Sequence, residues 1–174
     1  MVSVRHQIVL ITGASSGIGE ATAQIFAQAG AKLILVARRQ ERLAQLADDL
    51  NKEFASDIHT MQLDVRDRTS IESALAQLPS EFSAIDVLIN NAGLSRGLDK
   101  LYQGSYQDWE EMIDTNIKGL LYFTRAIVPG MVSRGRGHVV NLGSIAGHQT
   151  YPNGNVYCAT KAAVKAISEG LKQD

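Results

Sequence analysis

QIVLITGASSGIGE, residues 7–20, is the stretch on which the fold turns. Residues 7–12 form an apolar, β-branched run of strand length that stops at a glycine. Gly13, Gly17 and Gly19 then mark a turn, and a helix follows. Glycines between a strand and a helix permit a tight turn, close approach of backbone to a ligand, and close helix–strand packing. The helix start offers unpaired N–H groups and a partial positive charge to a pyrophosphate. The spacing is G-x-x-x-G-x-G rather than the usual G-x-G-x-x-G. The turn reads as dinucleotide-binding, with a turn built only for packing as the alternative.

Working outward, further strands are expected at residues 32–37 (KLILVA), 58–63 (IHTMQL), 85–89 (IDVLI) and 137–141 (GHVVN). Between them, Leu43, Leu46, Ala47 and Leu50 recur at helical spacing, as do Ile71, Ala74, Leu75 and Leu78. Apolar strands alternating with helices predict a parallel sheet covered on both faces, and right-handed crossovers make it a doubly wound α/β (Rossmann) fold. That fold has two halves and a sixth strand. The sequence shows five strands and ends within the helix after the fifth. It is therefore expected to be a single dinucleotide-binding Rossmann domain over residues 1–174, truncated after the fifth strand and its following helix. The fifth strand is then expected to be an exposed edge.

The 174 residues carry a net charge of −1, are 45% hydrophobic and 20% charged, and include one cysteine. This composition is ordinary for a soluble domain and gives no electrostatic case for nucleic acid or an anionic membrane. A lone Cys158 excludes an internal disulfide and fits a reducing compartment. No apolar run approaches a membrane span, and the N-terminus shows no signal-peptide cleavage region. A cytoplasmic protein is expected. His6, His59, His138 and His148 are scattered without ligand spacing, so no metal is expected.

Other residues carry chemistry. An NAD-binding fold places an acid about 20 positions after the glycine turn to hold the ribose 2′-hydroxyl. Here the second strand ends in Arg38 and Arg39. Guanidinium groups bind a 2′-phosphate that a carboxylate would repel, which points to NADP(H); two surface arginines opening a helix are the alternative. A long helix from about Tyr106 carries Trp109, Met112, Ile113, Ile117, Leu120, Leu121 and Thr124 as one stripe, interrupted by Asn116. A buried amide there must be hydrogen-bonded, either to structure or to a water or ligand. Ligands bind at the carboxyl ends of such strands, which places Ser144 and the N-N-A-G of residues 90–93 on the functional edge. Ser144 suits either a substrate hydrogen bond or a turn cap. Tyr157 and Lys161 share a helix face one turn apart. They read either as a proton-transfer pair or as a surface tyrosine beside a surface lysine.

TGASSGIG, NNAG, Asn116 in T-N-I-K-G, Ser144 in N-L-G-S and Y-C-A-T-K at residues 157–161 occur in this order. The chain resembles the short-chain dehydrogenase/reductase family, in its compact single-domain branch. Related sugar epimerases share the tyrosine–lysine pair but differ in glycine spacing and lack NNAG. Residues 119–164 are similar to bacterial NADP-dependent 3-hydroxy acid dehydrogenases, including those that oxidise serine.

The resemblance implies an oxidoreductase that transfers a hydride between NADP(H) and a small hydroxy or keto substrate. Tyr157 would be the general acid/base. A free phenol has a pKa near 10, and a cation one turn away in a partly dry site favours its phenolate. Lys161 would also bind the nicotinamide ribose, Ser144 would polarise the substrate oxygen, and Asn116 would hold a relay water. Gly13, Ser15, Ser16, Gly17, Ile18, Gly19, Arg38 and Arg39 would line the phosphates and ribose. Asp64 and Val65 would meet the adenine, and Asn90, Ala92 and Gly93 would lie beside the cofactor. Polar Gln149, Tyr151 and Asn153 suit a small polar substrate, unless that loop is polar only because it is solvated. The family forms dimers or tetramers. Ala159, Ala162, Ala163 and Ala166 allow helix pairing across a two-fold axis, or close packing on the chain's own sheet. The alternatives in function are another small alcohol or ketone as substrate, or an NADP-binding chain without turnover.

Overall fold

The computed structural model describes residues 4–174. Five parallel strands make one sheet in the order β3-β2-β1-β4-β5: β1 (Ile8–Thr12), β2 (Lys32–Ala37), β3 (Ile58–Gln62), β4 (Val87–Asn90) and β5 (His138–Asn141). The helices are α1 (Gly17–Gln28), α2 (Gln40–Phe54), α3 (Arg68–Ala76), α4 (Tyr106–Ile113), α5 (Leu120–Ser133) and α6 (Asn155–Gln173). The doubly wound arrangement read from the sequence is the one observed.

Side chains alternate across each strand and so build two cores. Val9, Ile11, Leu33 and Leu35 meet Ala23 and Ala27 of α1 and Leu43, Leu46 and Leu50 of α2. On the opposite face Leu10, Ile34, Val36 and Leu88 meet Ile71 of α3 and Phe123, Ile127 and Met131 of α5. Burial on both faces explains why β1, β2 and β4 are apolar without interruption. β5 differs: among the described residues it pairs with β4 alone, and His138 and Val140 are exposed.

The expected bounds moved by one residue at β1, β3 and β5, and further at β4 and in the long helix. β4 begins at Val87 because Asp86 is used to anchor the start of β1, its carboxylate accepting from the Ile8 N–H at 3.1 Å. The long helix is not one straight stripe. Asp114–Gly119 forms a π-helical turn between α4 and α5. The wider turn rotates the register, so Ile113 and Leu121 are exposed while Thr115, Asn116 and Phe123 are buried. Among the described residues no helix is long and apolar enough to cross a membrane.

Candidate active site

The crevice opens where β1 and β4 lie side by side and the chain leaves them in opposite directions. Thr12, the last residue of β1, laces the two exits together. Its hydroxyl donates to the Ile89 carbonyl and accepts from the N–H groups of Asn91 and Ala92, at 3.0–3.3 Å. Asn91 returns the tie, its amide donating to the carbonyls of Thr12 (2.9 Å) and Gly13 (3.2 Å). Gly13 has φ +67°, and a Cβ there would stand 2.9 Å from Ala92 Cα. A Cβ on Gly19 would stand 2.6 Å from Asn91 Nδ2, so Gly19 serves close packing of α1 on the turn.

A cleft of about 520 Å³ runs along these exits. Of the residues expected there, Gly13, Ser15, Ser16, Ile18, Arg38, Arg39, Asp64, Val65, Ala92 and Gly93 line it. Gly17 and Gly19 shape the turn without lining the cleft. Asn90 lies behind the wall; its amide donates to Thr124 Oγ1 and Asn141 Oδ1, and its own Oδ1 has no partner among the described residues. Arg39 reaches across to the glycine turn, donating to Ser15 Oγ at 3.0 Å and Ser16 Oγ at 2.8 Å. Burial alone would push the Asp64 carboxyl up. The hydrogen bonds and charge of Arg66, with the charge of Arg38, outweigh it and hold Asp64 below the usual carboxylate range. The cleft thus presents the cations Arg38 and Arg39 beside the glycine turn, with the ionised Asp64 on the same wall, which suits a ligand carrying phosphates.

Beyond Gly93 lies the second part of the site. Asn116, 2% exposed, closes on the backbone of Leu94: Oδ1 accepts from its N–H and Nδ2 donates to its carbonyl, both at 2.8 Å. The second Nδ2 hydrogen goes to Thr160 Oγ1 at 3.0 Å. Lys161, 8% exposed, sends its ammonium to the Leu142 carbonyl at 2.8 Å, with the Tyr157 ring centroid 6.0 Å away. Burial holds the Lys161 ammonium below its ordinary pKa. Gly147 lets the turn after β5 sit against α6, since a Cβ there would lie 2.6 Å from the Lys161 carbonyl oxygen. That turn carries Ser144, whose Oγ accepts from the Ala146 N–H at 3.1 Å. The hydroxyl caps the turn and keeps its hydrogen to donate elsewhere.

Residues 7–174 match the family model described as short chain dehydrogenase. The chain belongs to that family. Its sequence is 52% identical to the NADP-dependent 3-hydroxy acid dehydrogenase of Escherichia coli strain K12, over 96% of this chain and 66% of that protein. The fold superposes on serine dehydrogenase from Escherichia coli with TM-score 0.92 and 51% identity, covering 97% of this chain and 76% of that one. The closed form of serine dehydrogenase complexed with NADP+ gives TM-score 0.90 and 50% identity, covering 97% of this chain and 66% of that one. The chain therefore spans about two thirds of the length of the curated relatives that it matches.

The short-chain dehydrogenase cleft also includes residues that the sequence did not single out: Ala37, Leu63, Leu94, Arg96 and Thr115. Leu94 and Arg96 follow NNAG directly, and Thr115 precedes Asn116, so proximity to a motif was the available signal. Thr160, fully buried between Tyr157 and Lys161, had none beyond its place inside the Y-C-A-T-K run.

Proposed function

We propose that this chain binds NADP(H) in the cleft. We propose that the protein moves a hydride between NADP(H) and a small hydroxy or keto substrate, with 3-hydroxy acids such as serine the favoured class. The donor set fits the cofactor. Gly13, Ser15, Ser16 and Ile18 meet the phosphates on a turn that Gly17 and Gly19 shape, and Arg38 and Arg39 meet the 2′-phosphate. Asp64 and Val65 meet the adenine. Ala92 and Gly93, on the exit that Asn90 anchors, lie alongside, and Tyr157 and Lys161 hold the nicotinamide ribose. When bound, NADP(H) supplies or takes up the hydride.

The residues of the chain handle the proton. Tyr157 exchanges it with the substrate oxygen, and the Lys161 ammonium lies one helical turn away on the same face. Ser144 donates its spare hydrogen to the same substrate oxygen. Asn116 has both amide hydrogens committed, and one lone pair of Oδ1 remains for a water. A Cβ on Gly93 would stand 3.3 Å from Asn116 Oδ1 and 3.6 Å from Lys161 Nζ, so glycine at this position leaves both polar groups uncrowded.

One observation carries the reading: Lys161 is a buried cation whose one hydrogen-bond partner among the described residues is the Leu142 carbonyl, and it stands one helical turn from Tyr157. Burying an ammonium is costly, and the family chemistry gives it a use. The names of the NADP-dependent relatives support the substrate class. Ala159, Ala162 and Ala166 are exposed on α6, which supports a homo-oligomer paired through this helix. A near-neutral charge and one buried cysteine support a cytoplasmic protein. The test is Tyr157→Phe in the full-length protein. Turnover of 3-hydroxy acids is expected to fall by about 10²-fold or more, with NADPH affinity by fluorescence titration weakened by no more than about tenfold, the worth of one neutral hydrogen bond. Retained turnover refutes the mechanism.

A further inference from the structure

We infer that Thr160 is a positioning residue, whose hydroxyl couples the π-helical turn to α6 and so sets the placement of Tyr157 and Lys161. The inference rests on the reading of Tyr157 and Lys161 given above. Thr160 is 1% exposed, so its hydroxyl is closed to bulk water. A hydroxyl has one hydrogen to give and lone pairs to receive. The hydrogen goes to the Tyr157 carbonyl at 2.7 Å. A lone pair takes the Asn116 amide at 3.0 Å.

The first bond is ordinary back-bonding of a threonine within its own helix. The second is not, because it leaves the helix for a different element. Asn116 also bonds both backbone groups of Leu94, on the cleft wall. One hydroxyl therefore joins the wall of the cleft, the π-helical turn and the catalytic helix. A π-helical turn is rare and occurs mostly as a single turn within an α-helix, frequently at a functional site. Without the hydroxyl, one Asn116 amide hydrogen would be buried and unpaired. Asn116 would turn to satisfy it and loosen its grip on Leu94. In the chain Thr160 lies three residues after Tyr157 and one before Lys161, so both share its placement.

Thr160→Val keeps the shape and removes the hydroxyl, whereas Thr160→Ser keeps the hydroxyl and removes a methyl. Both are made in the full-length protein. In Thr160→Val, kcat/KM is expected to fall roughly ten- to hundredfold. The ascending limb of its pH profile for alcohol oxidation should move up by about half a unit or more. NADPH affinity should stay within about twofold, a change below 0.5 kcal/mol. Amide hydrogen exchange at Leu94, whose N–H is held by Asn116, should accelerate. Thr160→Ser should restore the pH profile and the Leu94 protection. If Thr160→Val is insoluble, Thr160→Ala removes the same hydroxyl and is read in the same way. A lowered melting temperature with an unchanged pH profile and unchanged Leu94 exchange would overturn the inference. So would a serine variant as impaired as the valine one. An active Tyr157→Phe variant would instead overturn the parent reading and leave the Leu94 exchange test standing.

Discussion

The three glycines of the first turn do different work, and alanine at each should separate the reasons. Gly17 has φ +58° with nothing within 4 Å of an added Cβ. Gly17→Ala meets only the left-handed backbone penalty, about 1–2 kcal/mol, of which the stiffer unfolded chain returns about 0.5–1. Gly19 sits in α1 with ordinary φ, so alanine gains about 1 kcal/mol of helix propensity. It loses more, because the new Cβ overlaps the Gly13 carbonyl oxygen and lies 2.6 Å from Asn91 Nδ2. A backbone atom cannot step aside cheaply, and such overpacking costs about 1–3 kcal/mol or more. Gly13 suffers both effects, with φ +67° and a Cβ 2.9 Å from Ala92 Cα. After the same return from the unfolded chain, the expected loss at Gly13 is about 1–4.5 kcal/mol, or roughly 2–18 °C in Tm for a chain of this size. Equilibrium urea denaturation with and without NADPH measures it. The order should be Gly13→Ala worst, Gly19→Ala next and Gly17→Ala mildest. NADPH affinity should fall most at Gly13, which lines the cleft. A Gly17→Ala loss as large as that of Gly13→Ala would refute the assignment of close approach to Gly13.

Two further outcomes are expected. Arg38→Ala and Arg39→Ala should each weaken NADPH about 10- to 100-fold, the worth of a charged hydrogen bond, and leave NADH nearly unchanged; equal losses for both cofactors in parallel titrations would contradict the 2′-phosphate assignment. Lys161 is held below its ordinary pKa of 10.5 by burial, so between its folded value and 10.5 the unfolded chain binds more protons and stability from this group rises with pH. Lys161→Met should flatten that slope in pH-dependent melts and keep Tm at pH 7 while abolishing turnover; a clear fall in Tm at pH 7 would show that the ammonium stabilises the fold.

The strands were legible because burial on both faces leaves little freedom of composition: the 32–37 run is β2 with no shift at either end. The glycine turn was legible because only glycine meets its backbone and packing demands at Gly13 and Gly19. The π-helical turn was not. An apolar stripe read at 3.6 residues per turn assumes a constant period, and Ile113 and Leu121 fell off it once six residues were wound more widely. Asn116 on that stripe was the visible sign, but its partners Leu94 and Thr160 are 22 and 44 residues away. Asn90 was grouped with its neighbours, yet adjacent strand residues face opposite ways, so Asn91 serves the turn while Asn90 ties β4 to Thr124 and Asn141.

The sheet order also has a consequence for how the chain is made. β1 is central, yet its two neighbours arrive at very different times. β2 pairs with it in the register Ile8↔Lys32, whereas β4 pairs in the register Val9↔Val87. At about 5–20 residues per second of translation, the second side of β1 waits roughly 4–16 s for its partner. Through that interval Val9, Leu10 and Ile11 offer unpaired backbone on one side and apolar faces not yet covered by α5. The most buried strand of the finished molecule is thus the most vulnerable stretch of the nascent one. Chaperone demand for this architecture should follow the β1-to-β4 spacing more closely than total length.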